Sequence, residues 1–169
     1  IQDKAGIISS AAYLHSIQVQ PFFGNYIFQD EKNSNQFRLH FYQGGIGLPD
    51  RDYYFDKDER TANIRTEYVK HISKMFQLTG VDIATADKNA ANIMRMETAF
   101  AGASRKLEAL RDPYANYNRM SIAEVNKLCP SIPWESFLAQ AGIKNIDSVI
   151  VGQPEFFTQL NKSITTESL

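Results

Sequence analysis

Two apolar stripes at helical spacing occupy residues 58–110 and leave little choice of secondary structure there. In the first stripe, apolar side chains recur at steps of three and four residues: Ile64, Tyr68, Ile72, Met75 and Phe76. This period predicts a helix over about residues 58–79, with Gly80 where a glycine commonly follows a helix. The second stripe predicts a helix over about residues 85–110, which ends before Pro113 because the residue before a proline avoids helical backbone angles. Two helices of this length favour a mainly α fold.

One region of the sequence alternates in the manner of β-strands. Residues 22–29 and 36–43 both alternate, and in the second run Phe37, Leu39 and Phe41 share one face. The polar, turn-forming stretch 30–35 joins the two runs. Together they predict a β-hairpin with a loop of several residues. The fold class predicted from these patterns is therefore mainly α with one β-hairpin.

Shorter elements are indicated by capping residues and apolar spacing. Ser9 and Ser10 are suitable N-caps for a helix over residues 11–17. Ser121 and Glu124 have the spacing of a capping box, which predicts a short helix that ends before Pro130. Three further segments carry weaker signals, two of them helical and the last a candidate short strand: residues 133–140, 154–164 and 148–151.

Charge and cysteine content exclude several classes of protein. The 169 residues carry 18 basic and 19 acidic side chains, so the chain lacks the basic excess of a dedicated nucleic-acid binder. The single cysteine, Cys129, excludes an internal disulfide and any multi-cysteine metal centre. No apolar run reaches the ~18–20 residues of a membrane span. Neither end resembles a natural terminus, so we expect this chain to be a piece of a longer protein.

The residues alone offer no metal-binding or catalytic set. The three histidines lie in three different predicted elements: His15, His40 and His71. None has a second histidine four residues away, so the His-Glu-x-x-His helix that binds zinc is absent. His40, which lies on a strand face, is the best placed of the three to line a cavity.

Two other segments imitate ligand-binding motifs but lack their essential residues. The acidic cluster in residues 50–58 has Tyr54 and Phe55 where a calcium-binding EF-hand loop needs a ligand and a glycine. The glycine-rich residues 44–47 lack the Gly-Lys-Ser/Thr ending of a phosphate-binding loop. We therefore predict neither calcium nor nucleotide binding.

The most distinctive segment of the chain is Gly44-Gly45-Ile46-Gly47-Leu48-Pro49-Asp50-Arg51-Asp52-Tyr53-Tyr54. It resembles the Gly-Leu-Gly-Leu-Pro-x-Arg-Asp-Tyr-Tyr segment of the neprilysin family, the M13 zinc metallopeptidases, which include endothelin-converting enzymes and bacterial oligopeptidases. Further landmarks of this family follow in the same order: Glu97, Arg111-Asp112-Pro113, Tyr117-Asn118-Arg119-Met120-Ser121, Trp134 and Pro154-Glu155-Phe156-Phe157. The resemblance covers nearly the whole chain.

The resemblance implies a place for residues 1–169 within a larger enzyme. It implies a zinc-dependent metalloendopeptidase that hydrolyses peptides, in which this segment is part of the N-terminal helical cap over the substrate cavity. The zinc ligands and catalytic residues of the family lie in a later, zinc-bearing domain that this chain does not include. The segment would therefore hold no cofactor and be inactive alone, with that domain as its partner. The single cysteine resembles bacterial members, and the resemblance favours the bacterial cell envelope or periplasm over the cytoplasm.

The motif residues are expected to stabilise loops rather than to contact peptide. Pro49 would restrict the turn, Arg51 and Asp52 would anchor it by charge-assisted hydrogen bonds, and the two tyrosines would bury their rings. The family-motif residues to which we give this expectation are Gly47, Leu48, Pro49, Arg51, Asp52, Tyr53, Tyr54, Arg111, Asp112, Tyr117 and Asn118. The alternative function is a stand-alone helical protein-interaction module without catalysis.

Overall fold

The computed structural model describes residues 1–168, which form six α-helices and four β-strands. The helices are α1 (Lys4–Ser16), α2 (Glu59–Leu78), α3 (Ile83–Ala103), α4 (Ile122–Leu128), α5 (Trp134–Gln140) and α6 (Pro154–Thr166). The strands are β1 (Gly24–Asp30), β2 (Asn33–Tyr42), β3 (Arg119–Ser121) and β4 (Ser148–Val151). These elements divide into a first unit, residues 1–45 with 103–168, and a second unit, residues 46–102. Within the described residues, no helix has the length and apolar character that crossing a membrane requires.

The sheet of the first unit is larger than the predicted hairpin. Strands β1 and β2 form that hairpin, with Gly24 opposite Tyr42 and Phe28 opposite Arg38. Strand β4 pairs with β2 in parallel and with β3 antiparallel, so the strand order is β1-β2-β4-β3. The prediction of one hairpin was therefore incomplete. Strand β3 has only three residues, and all four residues of β4 are buried, so neither shows the alternation by which a strand is recognised.

An aromatic cluster forms the core of the first unit. The rings of Phe41, Trp134 and Phe157 lie 5.2–5.5 Å from the ring of Phe23. All four side chains are fully buried. Because β2, α5 and α6 each contribute one of these rings, burial of this cluster connects the sheet to two of the short helices.

Two helices of the structure have boundaries that differ from the predicted ones. Helix α1 begins earlier, because the Asp3 carboxylate caps it by accepting a hydrogen bond of 2.7 Å from the backbone N–H of Gly6. Helix α3 ends at Ala103, about two turns before the predicted end near residue 110. The Gln43 side chain accepts from the backbone N–H of Arg105 and donates to its carbonyl, at 2.7 and 3.0 Å. These tertiary hydrogen bonds replace those of a continued helix.

The second unit consists of α2, α3 and the segment that precedes them. Asp58 caps α2, with its carboxylate accepting from the backbone N–H of Thr61 at 2.9 Å. Leu48, Tyr54 and Ala101 form a small buried cluster, against which other side chains of the unit pack: Ile46, Tyr53, Ile64, Tyr68 and Met94. Ile64 and Tyr68 of the predicted α2 stripe thus face the segment that carries the family motif, whereas α3 meets this cluster through Met94 and Ala101.

Two histidines of the first unit are buried in their neutral form. His15 lies between the rings of Phe23 and Phe137, and its Nδ1 is 2.7 Å from the Asn25 side-chain oxygen. His40 lies on β2 beneath the ring of Tyr26. Burial lowers the pKa of both imidazoles below the usual value of 6.5, because a buried ring loses the hydration that stabilises its charged form.

We expect the free energy of unfolding to decrease as the pH is lowered from about 7.5 to about 5.5. Unfolding raises the pKa of both buried histidines to about 6.5, so the unfolded chain binds more protons below that pH. The two neutral histidines stabilise the folded chain fully above pH 6.5. This stabilisation is lost as the pH falls toward the lower pKa values of the folded state. For each histidine the free energy of unfolding then decreases by at most about 1.4 kcal/mol per pH unit.

Urea unfolding at the two pH values tests this expectation. His15→Gln should make the pH dependence smaller than that of the wild type, because one of the two buried imidazoles is removed. A free energy of unfolding that is constant across this pH range would contradict the burial of neutral imidazoles.

Candidate functional site

The family motif forms a loop in the second unit, which we call the Gly47–Tyr54 loop after its first and last residues. Its second half is a short 3₁₀ turn, Arg51–Tyr54. The Asp50 carboxylate begins this turn by accepting a hydrogen bond of 2.8 Å from the backbone N–H of Asp52. Pro49 precedes this cap and restricts the backbone there. The local sequence therefore determines the turn, and tertiary contacts determine where it is held.

Glu97, on α3, accepts hydrogen bonds from three donors around the Gly47–Tyr54 loop. Its Oε2 accepts from the Tyr54 hydroxyl at 2.5 Å and from the backbone N–H of Gly47 at 3.0 Å. The hydroxyl of Tyr68, on α2, donates to the same carboxylate at 2.9 Å. One carboxylate thus joins the loop to both long helices of the second unit.

Tyr54 also closes the loop upon itself. Its hydroxyl oxygen accepts from the backbone N–H groups of Gly47 and Leu48 at 3.1 and 3.0 Å. Burial and the Glu97 carboxylate raise the pKa of both Tyr54 and Tyr68 well above the usual value of 10, so both hydroxyls stay protonated as donors. A Cβ at Gly47 would lie only 1.9 Å from the Tyr68 hydroxyl oxygen. Glycine is therefore the residue that fits beside this cluster.

The charged residues of the loop make short-range contacts. The Arg51 guanidinium lies 3.1 Å from the Asp52 carboxylate and 5.0 Å from the centre of the Phe55 ring. Arg65, on α2, donates to the backbone carbonyl of Tyr53 at 2.7 Å. The ion pair between Arg51 and Asp52 is a charge-assisted contact within the loop. The predicted role of these two residues, which is to stabilise the loop rather than to contact peptide, stays a prediction.

The four remaining motif residues lie in the first unit. The Asp112 carboxylate accepts from the backbone N–H groups of Tyr114 and Ala115 and so closes a turn. The Asn118 side chain donates to the carbonyl of Val151 at 3.0 Å, and the backbone N–H of Val151 donates to the carbonyl of Asn118 at 2.8 Å. Asn118 therefore guides the chain into the pairing of β3 with β4.

Tyr117 belongs to a second polar cluster of the first unit, centred on Asp30. This buried carboxylate accepts from the Tyr117 hydroxyl at 2.9 Å, from Nε of Arg38 at 3.2 Å and from the backbone N–H of Lys32 at 2.9 Å. The Lys32 hydrogen bond, with smaller contributions from Tyr117 and Arg38, lowers the pKa of Asp30. The Lys32 ammonium also lies 4.5 Å above the Tyr117 ring. Asp30 thus connects the hairpin turn to the strand region that follows Tyr117.

Arg111 is the charged motif residue whose side chain makes no polar contact among the described residues. It ends a 3₁₀ turn, Ala109–Arg111, is exposed, and lines a cavity of the first unit that His40 also lines. The sequence favours His40 as the histidine placed to line a cavity, and the structure confirms it.

Sequence reasoning missed the central role of two residues. Glu97 is recognised only as a landmark of the family, and Tyr68 only as part of an apolar helix face. Neither spacing nor composition indicates that the two meet, because 29 residues separate them. A tyrosine and a glutamate at the edges of two adjacent apolar stripes would be the only available signal.

The side chains of the described part of the chain do not form a zinc site. His15 and His40 are buried in α1 and β2, and His71 is exposed on α2. Within residues 1–168 no group of three or more histidine, cysteine, aspartate or glutamate side chains is arranged to hold a metal ion. Cys129 is buried, and burial raises the pKa of its thiol to about 12. No zinc-dependent step is therefore assigned to these residues.

Comparisons with known proteins point to one family. The family model for peptidase family M13 matches residues 1–169. Endothelin-converting enzyme 1 of Cavia porcellus is 32% identical over 155 residues, covering 88% of this chain and 20% of that protein. Neprilysin-3 of Drosophila melanogaster is 28% identical over 148 residues, covering 84% of this chain and 19% of that protein.

A solved structure extends the similarity to three dimensions. Zinc metalloprotease Zmp1 of Mycobacterium tuberculosis, in complex with an inhibitor, superposes with a TM-score of 0.92 at 27% identity. The match covers 99% of this chain and 26% of that one. The chain thus spans about a fifth to a quarter of the length of the proteins to which it is similar.

Proposed function

Because this chain belongs to peptidase family M13, we propose that it is part of the helical cap of a zinc-dependent metalloendopeptidase that hydrolyses peptides. The observation that carries this proposal is the match of the family model to all 169 residues. The names of the similar proteins, a zinc metalloprotease and an endothelin-converting enzyme, support a peptidase. This chain matches only about a fifth to a quarter of the length of those proteins. That short match supports the proposal that a further, zinc-bearing domain of the same polypeptide is the partner of this chain.

The cap supplies the walls and the selectivity of the substrate cavity rather than the chemistry. Zinc in such an enzyme would polarise the scissile carbonyl and activate water. In this proposal the described residues, 1–168, hold no zinc and supply no general base, and the segment is inactive alone. In this proposal the Gly47–Tyr54 loop has a structural role, which is supported by the hydrogen bonds of Tyr54 and Glu97 within its own unit.

Arg51→Ala is expected to lower the free energy of unfolding by about 1 kcal/mol, because it removes a half-buried ion pair and a contact with the Phe55 ring. Thermal unfolding of this variant should be compared with that of Arg60→Ala, which replaces an exposed arginine on the same unit. If Arg51→Ala leaves unfolding unchanged and raises only the KM for peptide hydrolysis by the whole enzyme, the loop contacts substrate and the anchoring role is wrong.

The mass and metal content of the native protein test the proposed function. A native chain several times heavier than 19.2 kDa, with about one zinc ion per chain and cleavage of short peptides, is the expected result. A native chain of 19.2 kDa without zinc would overturn it and leave the stand-alone protein-interaction module.

We propose the bacterial cell envelope or periplasm as the compartment, on the strength of the family resemblance alone. Fractionation of the source cells with an antibody against this chain is the test. Recovery of the protein in the cytoplasmic fraction would contradict this proposal without affecting the assignment of a peptidase.

A further inference from the structure

Strand β1 is one edge of the sheet of the first unit, because the strand order is β1-β2-β4-β3. Its outer side pairs with no other strand among residues 1–168. The opposite edge, β3, is only three residues long and carries an exposed arginine, Arg119. Short length and charge are two of the ways in which proteins keep a sheet edge from pairing further. Strand β1 has seven residues and is long enough to pair with a further strand.

A side chain already imitates a neighbouring strand at the beginning of this edge. The Gln20 amide donates to the backbone carbonyl of Asn25 at 2.9 Å and accepts from its backbone N–H at 3.2 Å. Both backbone groups of Asn25 therefore point away from β2. In an antiparallel pair, residues that bond the partner strand alternate with residues that face outward. The backbone groups of Ile27 thus point outward as well, whereas those of Tyr26 and Phe28 bond β2.

The middle of the β1 edge lacks the features that protect a free edge. Within the described part of the chain, the outward N–H and carbonyl of Ile27 have no hydrogen-bond partner. Free edges are commonly protected by charged side chains, by proline or by a bulge. Residues 25–29 carry neither charge nor proline, and the irregular register of the hairpin lies at their end, between Gln29 and Asp30. Nothing in this stretch prevents a further strand from pairing with it.

The side chains of this stretch expose apolar surface on both faces of the sheet. Tyr26 and Phe28 project from one face and Ile27 from the other, because side chains alternate along a strand. All three are 47–64% exposed. Phe37, on β2, is 72% exposed on the same face as Ile27. A run of apolar side chains on both faces is typical of a strand that is covered on both sides. Strand β1 therefore has the composition of an inner strand at an edge position.

The length of the similar proteins indicates where a further strand comes from. This chain matches about a fifth to a quarter of their length, so most of each of those proteins lies outside the matched part. A segment of the same polypeptide is present at a far higher effective concentration than a separate partner. Because the β1 edge is uncharged and apolar on both faces, the segment that fits it is extended, apolar and uncharged.

We propose that an extended segment of the same polypeptide, outside residues 1–169, adds to the β1 edge as a fifth strand. Its backbone bonds the N–H and carbonyl of Ile27. Its apolar side chains pack beside Ile27 on one face of the sheet and beside Tyr26 and Phe28 on the other. The segment has about five residues and contains neither charge nor proline. This inference rests on the proposed function in one respect, namely that the chain is part of a longer polypeptide.

Amide hydrogen exchange of the full-length native protein, resolved to single residues by mass spectrometry, tests the proposal. The Ile27 amide should exchange within about tenfold of the rates of the Tyr26 and Phe28 amides. Those two amides bond β2 whether or not a fifth strand is present, so they are the internal reference. If the Ile27 amide exchanges faster than this limit, the edge is open and the proposal is wrong.

A variant locates the protection at this edge. In the full-length protein, Ile27→Lys should raise the exchange rate of the amide of residue 27 at least about tenfold relative to that of Tyr26, because an apolar strand does not pack beside an ammonium group. Tyr13→Lys is the matched control, since it replaces a side chain of the same unit that is 63% exposed and lies on α1. Equal exchange at residue 27 in the two variants would overturn the proposal.

Two further results would assign the edge to another occupant. Protection of the Ile27 amide that decreases as the protein is diluted would indicate a second copy, and protection that requires added peptide would indicate a separate ligand. Either result overturns the proposal. A native chain of 19.2 kDa would overturn the proposed function. A larger zinc peptidase with a freely exchanging Ile27 amide would overturn this inference alone.

Discussion

Glu97→Ala is expected to lower the free energy of unfolding of the second unit by about 2–4 kcal/mol. The substitution removes the one acceptor that the Tyr54 hydroxyl, the Tyr68 hydroxyl and the backbone N–H of Gly47 share. Hydrogen bonds to a charged acceptor are among the stronger ones in proteins, and partly buried donors left without an acceptor add a desolvation cost. Few single side chains in this unit join so many elements.

Urea unfolding and amide hydrogen exchange together test this expectation. The variant should exchange the backbone amide of Gly47 faster than the wild type does, since that N–H would lose its Glu97 acceptor. Lys88→Ala, at an exposed position on the same helix, controls for the effect of alanine on α3. Equal stability of the two variants, with the Gly47 amide still protected, would show that Glu97 does not hold the loop.

Trp134→Ala should destabilise the first unit by about 3–5 kcal/mol, the cost of removing a large buried aromatic side chain. The indole ring is fully buried, and its centre lies 5.1 Å from that of Phe41. Its Nε1 donates to the carbonyl of Cys129 at 3.0 Å. The substitution therefore leaves a cavity and removes one of the two hydrogen bonds that the Cys129 carbonyl accepts, the other coming from the backbone N–H of Ile132. The total stability of such a protein is expected to be about 5–15 kcal/mol.

Far-UV circular dichroism in urea is the suitable measurement, because Trp134 is the only tryptophan and its fluorescence is lost with it. Trp134→Phe should cost less, since the phenyl ring fills part of the space. Tyr114→Ala removes an aromatic side chain that is 83% exposed and should cost almost nothing. A Trp134→Ala variant as stable as Tyr114→Ala would contradict the role of this ring in the core.

Local signals predicted most of the secondary structure correctly. The two long helices were predicted from their apolar stripes, and the Ser121–Glu124 capping box is present, with both hydrogen bonds of the motif formed. The hairpin and the candidate strand at residues 148–151 are present as well. Each of these signals depends on residues a few positions apart in sequence, which is the range over which helix and hairpin geometry acts.

The early end of α3 and the missed strand β3 arose where a distant contact changed the outcome. Helix α3 ends early because Gln43, 62 residues away, binds the backbone of Arg105. Strand β3 exists because β4 provides an edge to which three residues with no strand pattern can pair. Neither contact leaves a period or a spacing in the sequence.

The candidate site divides in the same way. By itself, the sequence determined the family motif, the helical character of its surroundings and the preference for His40 among the histidines as a cavity residue. Only the tertiary structure decided that Glu97 and Tyr68 meet at Tyr54, and that Arg111 shares a cavity with His40. The physical reason is that turns and helix faces follow from interactions between near neighbours in the chain. Hydrogen-bond partners and cavity walls are instead chosen by packing between segments that are tens of residues apart.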